Sequence, residues 1–217
     1  MIGAHTFQRA RKPEERTVRR AAILDAAAAL FDAEGPNGTS LNDIAARAGF
    51  TKSNVYRYFE SREEVLLTLF LEAFAALADD FVAETSKVSP NDLAALAALT
   101  ASCFARQPRL GRLLAILSTV LEENVSEERI IGLKRAMNGH VGRIAAAFHA
   151  RLPNTTLEDC AWVSGMVGAI VAGMWPSAHP NAIAARVLAM PEFAHLKPSI
   201  ERDLERATLA LLRSIVP

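Results

Sequence analysis

The stretch TSLNDIAARAGFTKSNVYRYF, residues 39–59, leaves few folds open. At helical spacing Leu41, Ile44, Ala45 and Ala48 share one face of a short helix, and the Ser40 hydroxyl can accept from an orphan backbone N–H at its start. Gly49 ends that helix, because a glycine tolerates the positive φ of a sharp turn. Thr51 can then cap a second short helix that carries Val55 and Phe59 inward. Two short helices about a glycine turn form a helix-turn-helix, which presents its second helix to the major groove of DNA.

The outward face of that second helix follows from about 100° of rotation per residue. With Val55 and Phe59 inward, Arg57 points almost directly away from the core, Ser53 and Asn54 lie well over on the same side, and Tyr56 and Tyr58 fall on the flanks. Donors and acceptors on an outer ridge suit base edges, and hydroxyl-bearing flanks suit phosphates. A merely solvated face would be rich in Glu and Lys, whereas this one has no acid before Glu60. The expected base readers are therefore Arg57, Asn54 and Ser53. Thr39, Ser40, Thr51, Lys52, Tyr56, Tyr58 and Arg62 are expected to hold the DNA backbone or flank the reading face.

The run AGFTKSNVYRYFESREEVL is similar to the signature of the TetR (tetracycline-repressor-like) family of bacterial transcription regulators. The matching positions are Ala48, Gly49, Thr51, Lys52, Tyr56, Tyr58, Phe59 and Arg62. Two positions depart from the pattern: Ser53 stands where glycine is common and Arg62 where lysine is usual. The motif spans roughly Arg16 to Leu66, about a quarter of the chain. Farther on, LEEN and MWP resemble the ligand-binding half of some members. The resemblance implies a DNA-binding regulator, most simply a repressor released from its operator by a small molecule. The alternative is a constitutive or activating DNA-binding protein without an effector.

Charge distribution agrees with one DNA-facing end. The 217 residues carry no formal net charge, but through Arg62 there are 10 Lys and Arg against 7 Asp and Glu, and afterwards 14 against 17. The first twenty residues hold six basic and two acidic side chains, with Arg9, Arg11 and Lys12 in an N-terminal basic arm, residues 1–13. An apolar fraction of 51% is ample for a sizeable core. Helices are expected at about 14–34, with Val18, Ile23, Ala27, Leu30 and Phe31 as the apolar stripe, and at 61–85, 91–106, 108–124, 126–151, 156–174, 181–190 and 199–216. Prolines at 90, 108, 153, 176, 180, 191 and 198 fall at the expected junctions. The fold class is all-α: an N-terminal three-helix DNA-binding domain, residues 1–62, and a larger helical effector-binding and dimerisation domain, residues 63–217. The first helix is expected to pack across the helix-turn-helix, and the long helix from Ser61 to act as a lever between the domains.

The body offers no catalytic pattern. No Gly-rich phosphate loop, CxxC, HExxH or nucleophile elbow is present, and His140 and His149 lie nine residues apart on opposite sides of one helix. An enzyme is not expected, nor a cofactor or metal. Cys103 and Cys160 sit in apolar helical surroundings and read as buried free thiols of a cytoplasmic protein. No signal peptide or membrane span is expected, because the apolar stretches are interrupted by charges or glycines. The partners expected are palindromic operator DNA, a second copy of the chain and a mostly apolar effector. Small residues Ala161, Gly165, Gly168, Ala169 and Ala172, the stripe Ile200, Leu204, Ala207, Leu211 and Ile215, and the anchors Trp162 and Trp175 are the candidate dimer surface. The search region for the effector is Phe70, Phe74, Cys103, Phe104, Leu117, Leu121, Phe148, Trp162, Met166 and Ile170.

Overall fold

The computed structural model describes residues 13–217 apart from Asn124. The basic arm, Met1 to Lys12, lies outside the described residues. The rest is helical and contains no strand: α1 (Pro13–Glu34), α2 (Leu41–Arg47), α3 (Lys52–Val55), α4 (Arg62–Thr85), α5 (Leu93–Ala105), α6 (Pro108–Ile116), α7 (Glu127–Arg151), α8 (Leu157–Ala178), α9 (Ala182–Leu188) and α10 (Ile200–Ile215). Short 3₁₀ turns occupy Pro36–Gly38 and Ala194–Leu196, and a π turn, Leu117–Leu121, follows α6. Contacts divide the chain into two compact units, with the boundary between Val65 and Leu66.

In the N-terminal unit α1 packs on α2, and α2 on α3. Burial on α1 begins at Ile23 and continues through Ala27, Leu30 and Phe31. Val18, expected on that stripe, is 67% exposed, because it lies more than a turn before burial begins. The Arg20 guanidinium sits 5.0 Å above the Phe59 ring, a cation–π contact that ties α1 to the end of the helix-turn-helix.

In the C-terminal unit α5 and α10 pack along one another, and α8 touches α6, α7 and α10. The α6–α8 approach depends on Gly111, where a β-carbon would overlap the buried Trp175 ring. The caps are local and legible: Asp92, Ser126, Thr156, Asn181 and Ser199 each accept a backbone N–H at the start of their helix. Helix α8 continues to Ala178, through Pro176, where a junction was expected. The missing N–H falls in the last turn, and His179 N donating to Trp175 O at 3.0 Å closes the end. Nor does the expected helix over 108–124 stay α-helical; it passes into the π turn after Ile116. By length and composition alone α8 is also apolar enough to cross a membrane, contrary to expectation, because its charges are confined to the first turn and its glycines lower hydropathy little.

Candidate nucleic-acid interface and effector cavity

The turn of the helix-turn-helix is held by backbone geometry. Gly49 adopts φ 71°, Gly49 N donates to Ala46 O at 3.2 Å, and Phe50 N donates to Ala45 O at 2.9 Å. These are the paired bonds that close a helix through a left-handed residue. Ser40 caps α2 by accepting from Asp43 N at 3.2 Å, while the Asp43 carboxylate takes Ser40 N and the Ser40 hydroxyl. Thr51 caps α3 by accepting from Asn54 N at 3.3 Å. Val55 and Phe59 are buried, so the inward pair is as expected.

With that pair inward, Thr51, Lys52, Ser53, Tyr56 and Arg57 are exposed, and Asn54 and Tyr58 are half-buried on the same short segment. Helix α3 itself is four residues long. The chain continues as a tight turn in which Arg57 N bonds Asn54 O and Phe59 N bonds Val55 O. The Lys52 ammonium stands 5.9 Å from the Tyr56 ring centre, one turn apart, grouping two of the proposed phosphate contacts.

Two expected backbone contacts face inward instead. Thr39 is fully buried and its hydroxyl donates to Gly35 O at 2.8 Å, leaving no donor for a phosphate. The Arg62 guanidinium is turned onto the chain: Nε donates to Thr39 O at 2.8 Å, Nη2 donates to Pro36 O, and Nη1 lies 3.6 Å from Glu63. Arg62 therefore clamps the first turn of α4 to the segment that leads into α2. Ser40 is half-buried, and its hydroxyl hydrogen is already given to Asp43.

In the C-terminal unit a cavity of about 240 Å³ is enclosed by α4, α5, α6, the π turn, α7 and α8. Of the search region, Phe74, Cys103, Phe104, Leu117 and Phe148 line it. Phe70 and Leu121 are fully buried without lining it, Ile170 is half-buried elsewhere on α8, and Trp162 and Met166 are 47% and 38% exposed. The reason is helical phase: α8 turns Val163, Val167 and Val171 inward, which carries Trp162 and Met166 out. Sequence reasoning missed Leu77, Phe81 and Thr100, and on α7 Met137, Val141 and Ile144. A usable signal was nevertheless present. Gly165, Gly168, Ala169 and Ala172, read as small residues for close helix approach, line the cavity, and their missing side-chain volume is part of the void. On α10, Ile200 and Leu204 face the chain's own core, as does Trp175.

Cys103 and Cys160 are buried and unbridged, and burial pushes both thiols above their usual range. Among the described residues no three His, Cys, Asp or Glu side chains cluster to hold a metal. His179 caps the end of α8, its ring stacked on that of Trp175 with centroids 4.2 Å apart.

A helix-turn-helix with an exposed hydroxyl and guanidinium ridge and a half-buried amide beside it, on an all-α body, defines a DNA-binding regulator of transcription. Residues 23–69 match the family model for bacterial regulatory proteins of the tetR family, and residues 71–214 match the tetracyclin repressor-like C-terminal domain. The chain belongs to the TetR family. It is 27% identical over 158 residues to YdgC, an HTH-type transcriptional regulator of Bacillus subtilis, covering 65% of this chain and 74% of that one. It is 38% identical over 71 residues to the transcriptional repressor KstR2 of Mycobacterium tuberculosis, covering 31% of this chain and 36% of KstR2. The fold is shared with SmeT, the repressor of the Stenotrophomonas maltophilia multidrug efflux pump SmeDEF, at TM-score 0.52 and 24% identity over 91% of this chain and 90% of SmeT.

Proposed function

We propose that this regulator is a homodimeric repressor that leaves a palindromic operator when a mostly apolar small molecule occupies the C-terminal cavity. The observation that carries the reading is the cavity itself, about 240 Å³ and walled in part by Phe74, Leu77 and Phe81 of α4. The same helix starts at Arg62, whose guanidinium grips the Thr39 and Pro36 carbonyls just before α2. A ligand that favours one position of α4 thereby biases the reading head, and an effector works through such a difference in affinity for two states.

Two copies are required because a single helix-turn-helix makes few specific contacts, whereas two read half-sites about 34 Å apart. A change of a few ångströms in that spacing is enough to lose one half-site. Arg57, Asn54 and Ser53 are assigned to base edges, and Thr51, Lys52, Tyr56 and Tyr58 to the flanking backbone. The relatives named as repressors support the sign of regulation. Selecting bound sequences from a random DNA pool tests the reading: a palindrome should emerge, and fractions of cell extract should release it. Recovery of a palindrome that no fraction releases would favour a constitutive regulator.

A further inference from the structure

Two of the polar groups in the cavity wall already spend their hydrogens within the protein. Three hydroxyls and one thiol reach the wall, from Thr100, Ser118, Ser164 and Cys103. Thr100 Oγ1 donates to Leu96 O at 2.7 Å, and Ser164 Oγ donates to Cys160 O at 2.8 Å. A hydroxyl has one hydrogen, so both oxygens offer lone pairs and no donor to a ligand. Ser118 is exposed, at the solvent side of the wall. Among the described residues the lining contains no Lys, Arg, His, Asp or Glu.

Charged and titratable side chains on the same helices stand outside that lining. Arg106 is exposed; its Nη1 donates to Ser102 Oγ at 2.6 Å and its Nη2 to Cys103 Sγ at 3.4 Å. Arg143 pairs with Asp79. The His140 ring lies 5.3 Å from that of Phe74, and burial together with Arg143 lowers its proton affinity below that of an ordinary imidazole. A carboxylate drawn past Ser118 into the cavity would meet two acceptor oxygens and the Cys103 thiol, with no cation in the wall. An alcohol, phenol or amide N–H would meet the acceptors it needs, while its apolar body replaced empty space.

We infer that the cavity selects uncharged ligands with an apolar body and a hydrogen-bond donor, and discriminates against the ionised carboxylate of the same skeleton. The inference rests on the cavity being the effector site. The test is calorimetric titration of the full-length chain with 1-decanol and with decanoate, at pH 8 and pH 6, paired with release of the selected operator. The alcohol should bind at least about tenfold more tightly at pH 8, with little change at pH 6. Apparent affinity for the acid should rise about tenfold per pH unit lowered, following its neutral fraction. Gly168→Leu should abolish both, since nothing lies within 4 Å of a β-carbon there and the longer side chain can fill the void. Equal, pH-independent affinity for decanoate, with operator release, would overturn charge selection while leaving the effector site standing; its loss in Arg106→Gln would name the cation responsible. Failure of both compounds to bind, or binding untouched by Gly168→Leu, would overturn the effector site and the inference together.

Discussion

Lys52 and Arg57 are both exposed cations on one short segment, yet they are assigned different work. Arg57→Ala should alter preference at one base pair of each half-site, costing about 1–3 kcal/mol there, whereas Lys52→Ala should weaken all sequences alike and lower the salt slope by about one. Binding measured across single-base operator variants and salt concentrations separates the two, and identical effects would reverse the assignment. Thr39→Val tests the inward role of its hydroxyl. It should cost about 1 kcal/mol in denaturant unfolding and leave the operator affinity of the folded fraction unchanged. Inward Val55 and Phe59 were legible because their spacing fixes a face. Thr39 and Arg62 were not, because their partners are chosen by tertiary placement: Arg62 reaches carbonyls 23 and 26 residues away.

At the scale of elements, the α6–α8 crossing is set by one missing side chain. Gly111→Ala should cost about 1–3 kcal/mol of stability, since the opposing Trp175 ring is buried and has little room to yield. An unchanged melting temperature would show that the helices part freely. The start of α10 carries a pH-dependent contribution. Hydrogen bonds from Arg202 and the Ser199 N–H hold the Asp203 carboxyl down at about 2, below its ordinary 3.8. A depressed carboxylate stabilises above its unfolded pKa, so the contribution is complete above about pH 4 and fades as pH falls toward 2. Asp203→Asn should flatten that part of the acid-unfolding profile. Helix starts were readable because a cap needs only its own next turn. The π turn at Leu117–Leu121 and the run of α8 through Pro176 were not, because neighbouring packing rather than local preference decides them.

At the scale of the whole molecule, assembly is the central expectation. Light scattering at micromolar concentration should give twice the 23.5 kDa chain mass, and the bare chain mass would rule out the dimer. Met166→Arg should dissociate it without unfolding the chain, since that side chain is already 38% exposed. Reciprocity adds a check: a true effector binds the operator-bound protein less tightly than the free protein, by the same factor with which it weakens DNA binding. The division into a reading head and a helical body was legible from motif and helix lengths. The cavity was only half legible, since a void is defined by side chains that are absent and by phases of helices that no single stretch of sequence sets.

Helix α8 carries a kinetic consequence. Its 22 residues include an apolar window of which only 22% is buried within one chain. If a second copy covers that surface, folding ends in a bimolecular step, and the half-time of the final phase must lengthen as the chain is diluted. Freshly made protein at low copy number would then wait longest with this apolar helix uncovered. Refolding followed by Trp162 fluorescence over a hundredfold range of concentration would show a second-order phase, and a rate independent of concentration would place the completion of α8 within the single chain.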